Sequence, residues 1–521
     1  MKRPSLRTLA ADPKDDDDQE MKLSRLLAAA CLVTASRACW LDLFGEQIGG
    51  RYGNITSALD DAMCRASRTI GGAQSLAHDA LARCDPGLRV VVFGGSVSCG
   101  HSLKKRSSGG ELARDALCPQ LPRMHECKRE AWPALWARAM NDRFACPAGG
   151  GGEHVVTNLC RAAAGTNYIV NRVAELQSGA NASDPERRAL LDADVVVVET
   201  AANDVHELLK ARTPAWLDAD DEGQKTRAFT EILARQLLSL PRRPTLLWLT
   251  AAWRALDAPP YHRDADAEHR RVLRYYNISQ VSMLAAFAPL ASAERRAWAR
   301  SVYFHDCCHP SALGHKYIAS ALVFNQERDR AAPRRDDGAR PRGALPPELV
   351  ISPEVSARFV RPRAVERLDL RAPAAVRRAQ VAKSGFACYA DVPTKPGAIA
   401  DQVGAFLTLN IELPGGADAA PLDGVTSLGY LSSYEHVGSF DAEIISAPGD
   451  CRFPIGAATL ARRRIDCRID EHVSIYSSAE LSWSAAPGSE CVWLRVTVVE
   501  SPTPRNENKV KLFDVTTYVL N

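Results

Sequence analysis

The chain has 521 residues, which is too long for one hydrophobic core and enough for two or three domains. Apolar residues make up 46% of it and charged residues 24%, as is usual for globular proteins. Because 65 basic residues nearly balance 62 acidic ones, the overall charge predicts no nucleic-acid partner.

The N-terminal residues resemble a leader more than a folded segment. Residues 1–20 are polar, and Met21 then begins a short basic segment that runs into an apolar stretch over residues 26–35. Small residues follow at the two positions that a signal peptidase inspects, the second of them Ala38. Because the apolar stretch is too short to span a bilayer, the pattern predicts a secretory signal from Met21 to Ala38. A buried helix of an intracellular protein is the alternative.

Cysteine usage agrees with a secretory signal. Cleavage after Ala38 would remove Cys31 and leave fourteen of the fifteen cysteines, an even number that favours disulfides in an oxidising compartment. Three Asn-X-Ser/Thr sequences are compatible with glycosylation, at Asn54, Asn181 and Asn277. We therefore expect a secreted or extracellular protein.

Residues 39–326 alternate short apolar runs with longer helical segments. The runs predict strands at residues 88–93, 154–158, 195–199 and 245–250. The segments between them predict helices at residues 131–144, 166–177 and 226–240. Uninterrupted apolar strands that alternate with helices are typical of a parallel sheet covered on both faces, so we predict a three-layer, doubly wound α/β domain. Ligands of such domains bind at the carboxyl ends of the strands.

The remaining residues differ in composition. Residues 327–384 are rich in Arg, Pro and Ala and predict a linker or an extended strap over the surface. Residues 385–521 contain short β-rich segments separated by turn sequences, which predicts a β-sandwich of the jelly-roll kind. Its four cysteines are able to form two disulfides of their own: Cys388, Cys451, Cys467 and Cys491.

Polar or glycine residues follow the predicted strands of the α/β domain at the points where the strands end. Ser96 follows the first strand in VVVFGGS, Gly165 follows the second, and Asn203 follows the third. Asp306 and His309 come together near the end of the domain. A serine hydroxyl needs a base such as histidine to act as a nucleophile, the histidine needs a carboxylate to orient it, and an oxyanion needs fixed donors.

This ordered set resembles that of the SGNH (GDSL-type) hydrolases over roughly residues 88–324. The resemblance implies a flavodoxin-like SGNH fold and a serine esterase. It also implies a catalytic Ser96, with His309 as the base and Asp306 as the residue that orients it. The backbone N–H groups of Ser96 and Gly165 and the side chain of Asn203 would then form the oxyanion hole.

The sequence departs from that family in two places. Gly95 stands where the family usually has the aspartate of Gly-Asp-Ser, which we expect to change local packing and leave the chemistry in place. A long insertion over residues 100–130 separates the nucleophile from the next helix and is a candidate lid or groove wall. Ser98 is a second serine in the same turn, and we favour Ser96 because it directly follows the two glycines.

Cys307 and Cys308 lie between Asp306 and His309 and, together with His305 and His309, also resemble a Cys/His metal site. Structural zinc sites usually use spaced cysteine pairs, so we favour a disulfide that stiffens this loop and expect no metal and no cofactor. His315 fits a structural place at a helix start.

The leading hypothesis is a secreted serine esterase acting on an acyl ester, with O-acyl groups of a carbohydrate as the favoured substrate because of the sandwich domain. A carbohydrate O-acyltransferase and a lipid esterase are alternatives within the same family. A catalytically inactive carbohydrate-binding protein is an alternative of another class. We expect no nucleic-acid partner and no transmembrane span, and the sequence carries no signal for an oligomeric state.

Overall fold

The computed structural model describes the chain between residues 87 and 520, with gaps. The described residues are 87–100, 103, 129–146, 152–178, 183–208, 223–251, 265–283, 309–331, 345–390, 396–413, 421–447, 451, 457–469, 474–501 and 507–520. The predicted signal over residues 21–38, most of the insertion over residues 100–130, Asn54 and Asn181 lie outside them.

Five parallel strands form the sheet of the first unit, in the order β2-β1-β3-β4-β5. The strands are β1 Arg89–Gly94, β2 Val155–Asn158, β3 Val195–Glu199, β4 Thr245–Thr250 and β5 Ser279–Ser282. The first four coincide with the predicted apolar runs, and β5 is an addition to them. The chain steps from β1 to β2 on one side and then crosses back to β3. The carboxyl ends of β1 and β3 therefore lie at the switch point, where open α/β sheets bind ligands.

Helices cover both faces of this sheet. They are α1 Trp132–Arg143, α2 Thr166–Ser178, α3 Pro185–Leu191, α4 Ala201–Leu208, α5 Gln224–Leu238, α6 Ala265–Tyr275 and α7 Ala312–Ala331. Alternate residues of β1 face opposite layers, so Val90 packs with α1 and α7 whereas Val91 packs with α2 and α5. This arrangement confirms the predicted doubly wound α/β domain. Within the described ranges, no helix is both long and apolar enough to cross a membrane.

Residues 345–351 lie across helix α5 and are held by one buried carboxylate. Glu231 of α5 is fully buried. Its oxygens accept the backbone N–H groups of Leu349, Val350 and Ile351 at 2.5, 2.7 and 2.9 Å. A buried carboxylate is costly unless hydrogen-bond donors reach it, and this segment supplies three of them. The segment is therefore bound to the α/β domain through Glu231.

The segment for which composition predicts a linker or strap also contains regular structure. Helix α8 spans Pro353–Val360, strand β6 spans Ala364–Asp369, helix α9 spans Pro373–Ala379 and strand β7 spans Gln380–Ser384. Strand β6 pairs with the last strand of the chain, and β7 pairs with a strand of the second unit. These pairings make much of residues 353–384 part of the folded C-terminal unit.

Two antiparallel sheets form the second unit. Its further strands are β8 Ala387–Ala390, β9 Pro396–Ala400, β10 Phe406–Glu412, β11 Leu422–Ser433, β12 Ser439–Ser446, β13 Thr459–Asp466, β14 Ser474–Ala485, β15 Cys491–Val499 and β16 Val510–Val519. One sheet has the order β13-β12-β15-β10-β7 and the other β14-β11-β16-β9-β8, with β6 also paired to β16. Side chains from both sheets share one core, for example Leu428 and Leu494. The predicted antiparallel sandwich after the α/β domain is therefore confirmed.

The two units share a hydrophobic core. Val425 and Tyr518 of the sandwich belong to the same buried cluster as Val173 of α2. Polar contacts cross the same boundary, because the Tyr518 hydroxyl donates to Asn171 Oδ1 at 2.6 Å and Asn171 Nδ2 donates to Ser427 Oγ at 3.1 Å. The sandwich thus packs directly on helix α2, which begins directly after the predicted oxyanion-hole glycine, Gly165.

Five of the seven cysteines in the described ranges are disulfide-bonded. Cys99 pairs with Cys160 and Cys451 with Cys491, and Cys146 is also bonded. Of the two bridges considered for the sandwich, the second does not form, because Cys388 keeps a free thiol. Cys307 and Cys308 lie outside the described residues.

Candidate active site

The turn after β1 presents Ser96 at the carboxyl edge of the sheet. A Cβ at Gly94 would lie 2.1 Å from Ser98 Oγ, and a Cβ at Gly95 would lie 2.2 Å from Asn203 Nδ2. Both positions require glycine, because neighbouring side chains approach the backbone too closely for a larger residue.

The two serines of this turn have different surroundings. Ser96 is partly exposed, and its Oγ lies 3.0 Å from His309 Nε2 although the two residues are 213 positions apart. Ser98 is fully buried and its hydroxyl donates to Glu199 Oε2 at 2.9 Å. Of the two serines, only Ser96 both contacts a possible base and is partly exposed to solvent.

His309 lies shortly before helix α7, and the structure separates it from the other histidine of this region. His315 is fully buried, and its Nδ1 accepts the backbone N–H of Trp132 at 3.2 Å. Burial, with a smaller contribution from the charge of His309, lowers the pKa of His315 to about 3, so this ring stays neutral. Asp306 lies outside the described residues, and its orienting role stays a prediction.

Gly165 and Asn203 lie beside the Ser96 turn. Asn203 Nδ2 donates to the Ala164 carbonyl at 2.9 Å and faces Gly95, the residue before Ser96. A Cβ at Gly165 would lie 2.7 Å from Asp204 Oδ1, so a side chain there would displace the segment that carries Asn203. The structure therefore brings these two residues together with Ser96 and His309 at the switch point. A hydroxyl, an imidazole and two amide groups in this arrangement are the parts that acyl transfer requires.

A family model supports the same chemistry. The model described as GDSL-like lipase/acylhydrolase matches residues 90–322, a range that contains all four of these residues. The α/β domain belongs to this GDSL-like family. The chain is accordingly a hydrolase acting on ester bonds.

Solved structures similar to the chain include two-domain enzymes. Two crystal structures of a two-domain esterase (CEX) active on acetylated mannans, one of them with mannopentaose, are 16% identical, with TM-scores of 0.48 and 0.49. Each match covers 91% of this chain and 96% of the other. A peptidoglycan O-acetylesterase is 18% identical with a TM-score of 0.26, over 36% of this chain and 49% of the other. No curated protein matches the chain.

The GDSL-like domain has a buried carboxyl group beneath its Ser96 turn. Glu199 is the last residue of strand β3 and is fully buried. The residue before Ser96 is Gly95, which leaves room for the Asn203 side chain. Burial raises the pKa of Glu199 to about 8, although hydrogen bonds from the Ser98 hydroxyl and nearby backbone N–H groups oppose the shift. Glu199 is thus mostly protonated at neutral pH.

This burial predicts a pH-dependent stability. The folded GDSL-like domain keeps a proton on Glu199 that the unfolded chain releases above about pH 4.5, so stability falls as pH rises to about 8. Glu199→Gln, which resembles the protonated acid, is expected to remove that loss and to gain a few kcal/mol over the wild type by pH 8. Denaturant midpoints between pH 5 and pH 9 measure the difference.

Glu153→Gln is a suitable control for this experiment, because Glu153 is an exposed acid of the same α/β domain. Glu153→Gln should leave the contribution of Glu199 in place, so its stability should fall with rising pH as that of the wild type does. If the denaturant midpoints of the wild type and Glu199→Gln change with pH in the same way, the prediction is contradicted.

Sequence reasoning did not predict two connections that hold the Ser96 turn. The Cys99–Cys160 disulfide joins the segments that follow β1 and β2. Asn158 adds to it, because its Nδ2 donates to the Ser98 carbonyl at 2.8 Å and its Oδ1 accepts the Cys160 N–H at 3.1 Å. The position of each cysteine just after a strand was the available signal, because β1 and β2 are neighbours in the sheet.

The alternative Cys/His metal site falls mostly outside the described residues. His305, Cys307 and Cys308 are not among them, and His309 faces Ser96. Among the residues that the structure does describe, no group of three or more His, Cys, Asp or Glu side chains is arranged to hold a metal ion.

Proposed function

We propose that the chain is a secreted serine esterase that removes O-acyl groups from a carbohydrate. The single observation that carries the proposal is the 3.0 Å contact between Ser96 Oγ and His309 Nε2 at the switch point of the sheet. Ser96 is the proposed nucleophile, His309 the base, and Asp306 the residue that orients it.

In the proposed acylation step, Ser96 Oγ attacks the acyl carbonyl carbon while its proton passes to His309 Nε2. The carbonyl oxygen becomes an oxyanion that accepts hydrogen bonds from the Ser96 and Gly165 N–H groups and the Asn203 side chain. When the tetrahedral intermediate collapses, the bond to the sugar oxygen breaks, and His309 returns the proton to that oxygen. The sugar hydroxyl leaves and the acyl group stays on Ser96.

Water completes the proposed cycle. His309 takes a proton from a water molecule as that water attacks the acyl-enzyme, and the same donors hold the second oxyanion. Collapse releases the carboxylic acid and returns the proton to Ser96 Oγ. A sugar hydroxyl in place of water would give acyl transfer, which is the related alternative.

Exposed apolar side chains near the proposed site bear on the choice between a polar and a lipid substrate. The exposed large apolar side chains among the described residues are Val155, Tyr275, Leu349, Tyr389 and Val403. None of them follows the carboxyl end of β1, β2, β3 or β4. A lipid esterase needs apolar surface to receive acyl chains, and the described residues at these strand ends contribute no large exposed apolar side chain to it. The adjoining β-sandwich supports a carbohydrate substrate by architecture alone.

Covalent features support secretion. Disulfides such as Cys99–Cys160 persist in oxidising compartments. Asn277, the acceptor of one Asn-X-Ser sequence, is exposed in the turn after α6 and is accessible to glycosylation.

The test uses the full oxidised chain with a fluorophosphonate probe and three esters. We expect the probe to label Ser96, as located by peptide mass spectrometry. We also expect acetate release from an acetylated polysaccharide and a small aryl acetate, and much slower cleavage of a long-chain aryl ester. Absence of labelling would contradict the serine-esterase proposal, and cleavage of the long-chain ester alone would support a lipid esterase instead.

A further inference from the structure

Four buried polar residues form a hydrogen-bonded group behind the proposed oxyanion hole: Thr166, Thr200, Asp204 and His269, here called the Asp204 cluster. Asp204 Oδ1 accepts the Thr166 N–H at 2.7 Å, and Oδ2 accepts the Thr166 hydroxyl at 2.6 Å. His269 Nε2 lies 3.0 Å from the same Oδ2, and Thr200 Oγ1 lies 2.9 Å from Thr166 Oγ1. Each of the four is at most 3% exposed, so these contacts are made out of water.

Two members of the cluster are adjacent in sequence to the proposed oxyanion donors Gly165 and Asn203. Thr166 directly follows Gly165, and Asp204 directly follows Asn203. The two hydrogen bonds from Thr166 to Asp204 therefore tie the loop after β2 to helix α4. His269 on α6 contacts the same Oδ2 atom that accepts the Thr166 hydroxyl.

In the described part of the chain, the histidine at position 269 pairs with Asp204 through one ring nitrogen and leaves the other unpaired. Its Nδ1 is buried and has no hydrogen-bond partner among the described residues, and its ring packs against Trp248 with the centroids 5.8 Å apart. An unpaired buried acceptor costs about 1–3 kcal/mol. Apolar replacement of a whole buried polar pair is often neutral or stabilising. A cost of this kind next to a reaction site calls for a functional explanation.

We propose that Asp204 and His269 are positioning residues that hold Gly165 and Asn203 in the geometry of an oxyanion hole. This inference rests on the proposed esterase function. The N–H of His269 fixes the Asp204 carboxylate so that its Oδ1 accepts the Thr166 N–H. Asp204 Oδ1 would lie only 2.7 Å from a Cβ at Gly165. A carboxylate free to turn would compete with the substrate oxyanion for the Gly165 N–H.

Loss of this positioning should weaken binding of the transition state more than binding of the substrate. Donors that are displaced by a fraction of an ångström still admit the uncharged substrate, but they stabilise the oxyanion less. Loss of His269 should therefore lower kcat and leave KM unchanged. A purely structural role would instead reduce the amount of folded enzyme and leave the turnover of each active site unchanged.

The experiment compares His269→Leu, which removes the donor, with His269→Gln, whose amide N–H can still reach Asp204. Gln280→Leu is the matched control, since Gln280 is equally buried and bonds Asp266 of the same helix α6 at 2.7 Å. Fluorophosphonate titration gives the number of active sites in each preparation. For each variant we would measure kcat per site and KM on an aryl acetate, and the inhibition constant of a boronic acid, whose tetrahedral serine adduct places an oxygen in the oxyanion hole.

We expect His269→Leu to lose about 10- to 100-fold in kcat per site and a similar factor in boronic-acid affinity. His269→Gln should keep most of both, and Gln280→Leu should change only stability.

Equal kcat per site in His269→Leu and wild type would overturn the inference while the esterase function stands. A wild-type chain that neither reacts with fluorophosphonate nor cleaves esters would overturn the proposed function first. If His269→Leu does not fold, Thr166→Val gives the same comparison, with a loss of kcat per site expected and an unchanged value contradicting the proposal.

Discussion

Replacing Ser96 with alanine is expected to lower kcat by a factor on the order of 10⁶, and His309→Ala should do nearly the same. Without Oγ no acyl-enzyme forms, and without the imidazole the hydroxyl 3.0 Å away keeps its proton. Because the two residues act as a unit, the double variant should be hardly worse than either single variant. Turnover of a small aryl acetate measures all three.

Substitutions of the residues around Ser96 and His309 should cause smaller losses of kcat. Asn203→Ala removes one proposed oxyanion donor and should cost about 10²–10³ in kcat. Asp306→Asn should also slow the reaction, since His309 would lose the carboxylate that sets its tautomer.

Ser98→Ala is the matched control, because this serine lies in the same turn but is fully buried against Glu199. It should keep most of the activity. If Ser98→Ala is inactive and Ser96→Ala is active, Ser96 is not the nucleophile. Wild-type rates in every variant would contradict the serine mechanism.

A chain that ends at Ala331 is expected not to fold into a stable α/β domain. The truncation removes the segment that pairs with the buried Glu231 of α5, together with core residues such as Phe359 and Tyr518. The exposed apolar face of α2 and α5 would then aggregate or stay loosely packed. Soluble yield, hydrogen exchange and labelling by fluorophosphonate measure the result. A soluble, fully labelled truncated chain would show that the C-terminal unit is independent.

A point variant tests the same dependence within the full chain. Glu231→Ala leaves the N–H groups of Leu349, Val350 and Ile351 without their acceptor and should lower the free energy of unfolding by on the order of 3–5 kcal/mol. Glu354→Ala, in the first turn of α8 just after that segment, is the control, because that side chain is exposed and its loss should cost under about 1 kcal/mol. Equal stabilities for the two variants would contradict the assigned role of Glu231.

The strands at the centre of the sheet could be predicted because of their burial. The apolar runs at residues 195–199 and 245–250 coincide with β3 and β4, since a parallel strand covered on both faces has no polar side. Strand β5 was not predicted, because its sequence Ser-Gln-Val-Ser is mostly polar. Its Gln280 is nevertheless buried, where it bonds Thr250 and Asp266 from distant parts of the chain.

The Arg- and Pro-rich segment shows the limit of composition. Residues 327–384 have the composition of a linker, yet Arg367 within them is buried and paired with Asp514 of β16 at 3.1 Å and with Glu175 of α2 at 3.0 Å. Burial of an arginine depends on carboxylates that lie far away in sequence, and no local pattern predicts them.

The sequence by itself determined the doubly wound sheet, the sandwich that follows it, and the positions of Ser96, Gly165 and Asn203 shortly after strands of the sheet. These follow from local periodicity and from residues that end strands, and both act over a few positions. Only the tertiary structure decided that His309 meets Ser96, that Cys99 pairs with Cys160, and that His269 supports Asp204. Those contacts depend on which strands are neighbours and how helices pack on them, because the free energy that fixes them comes from burial across the whole chain.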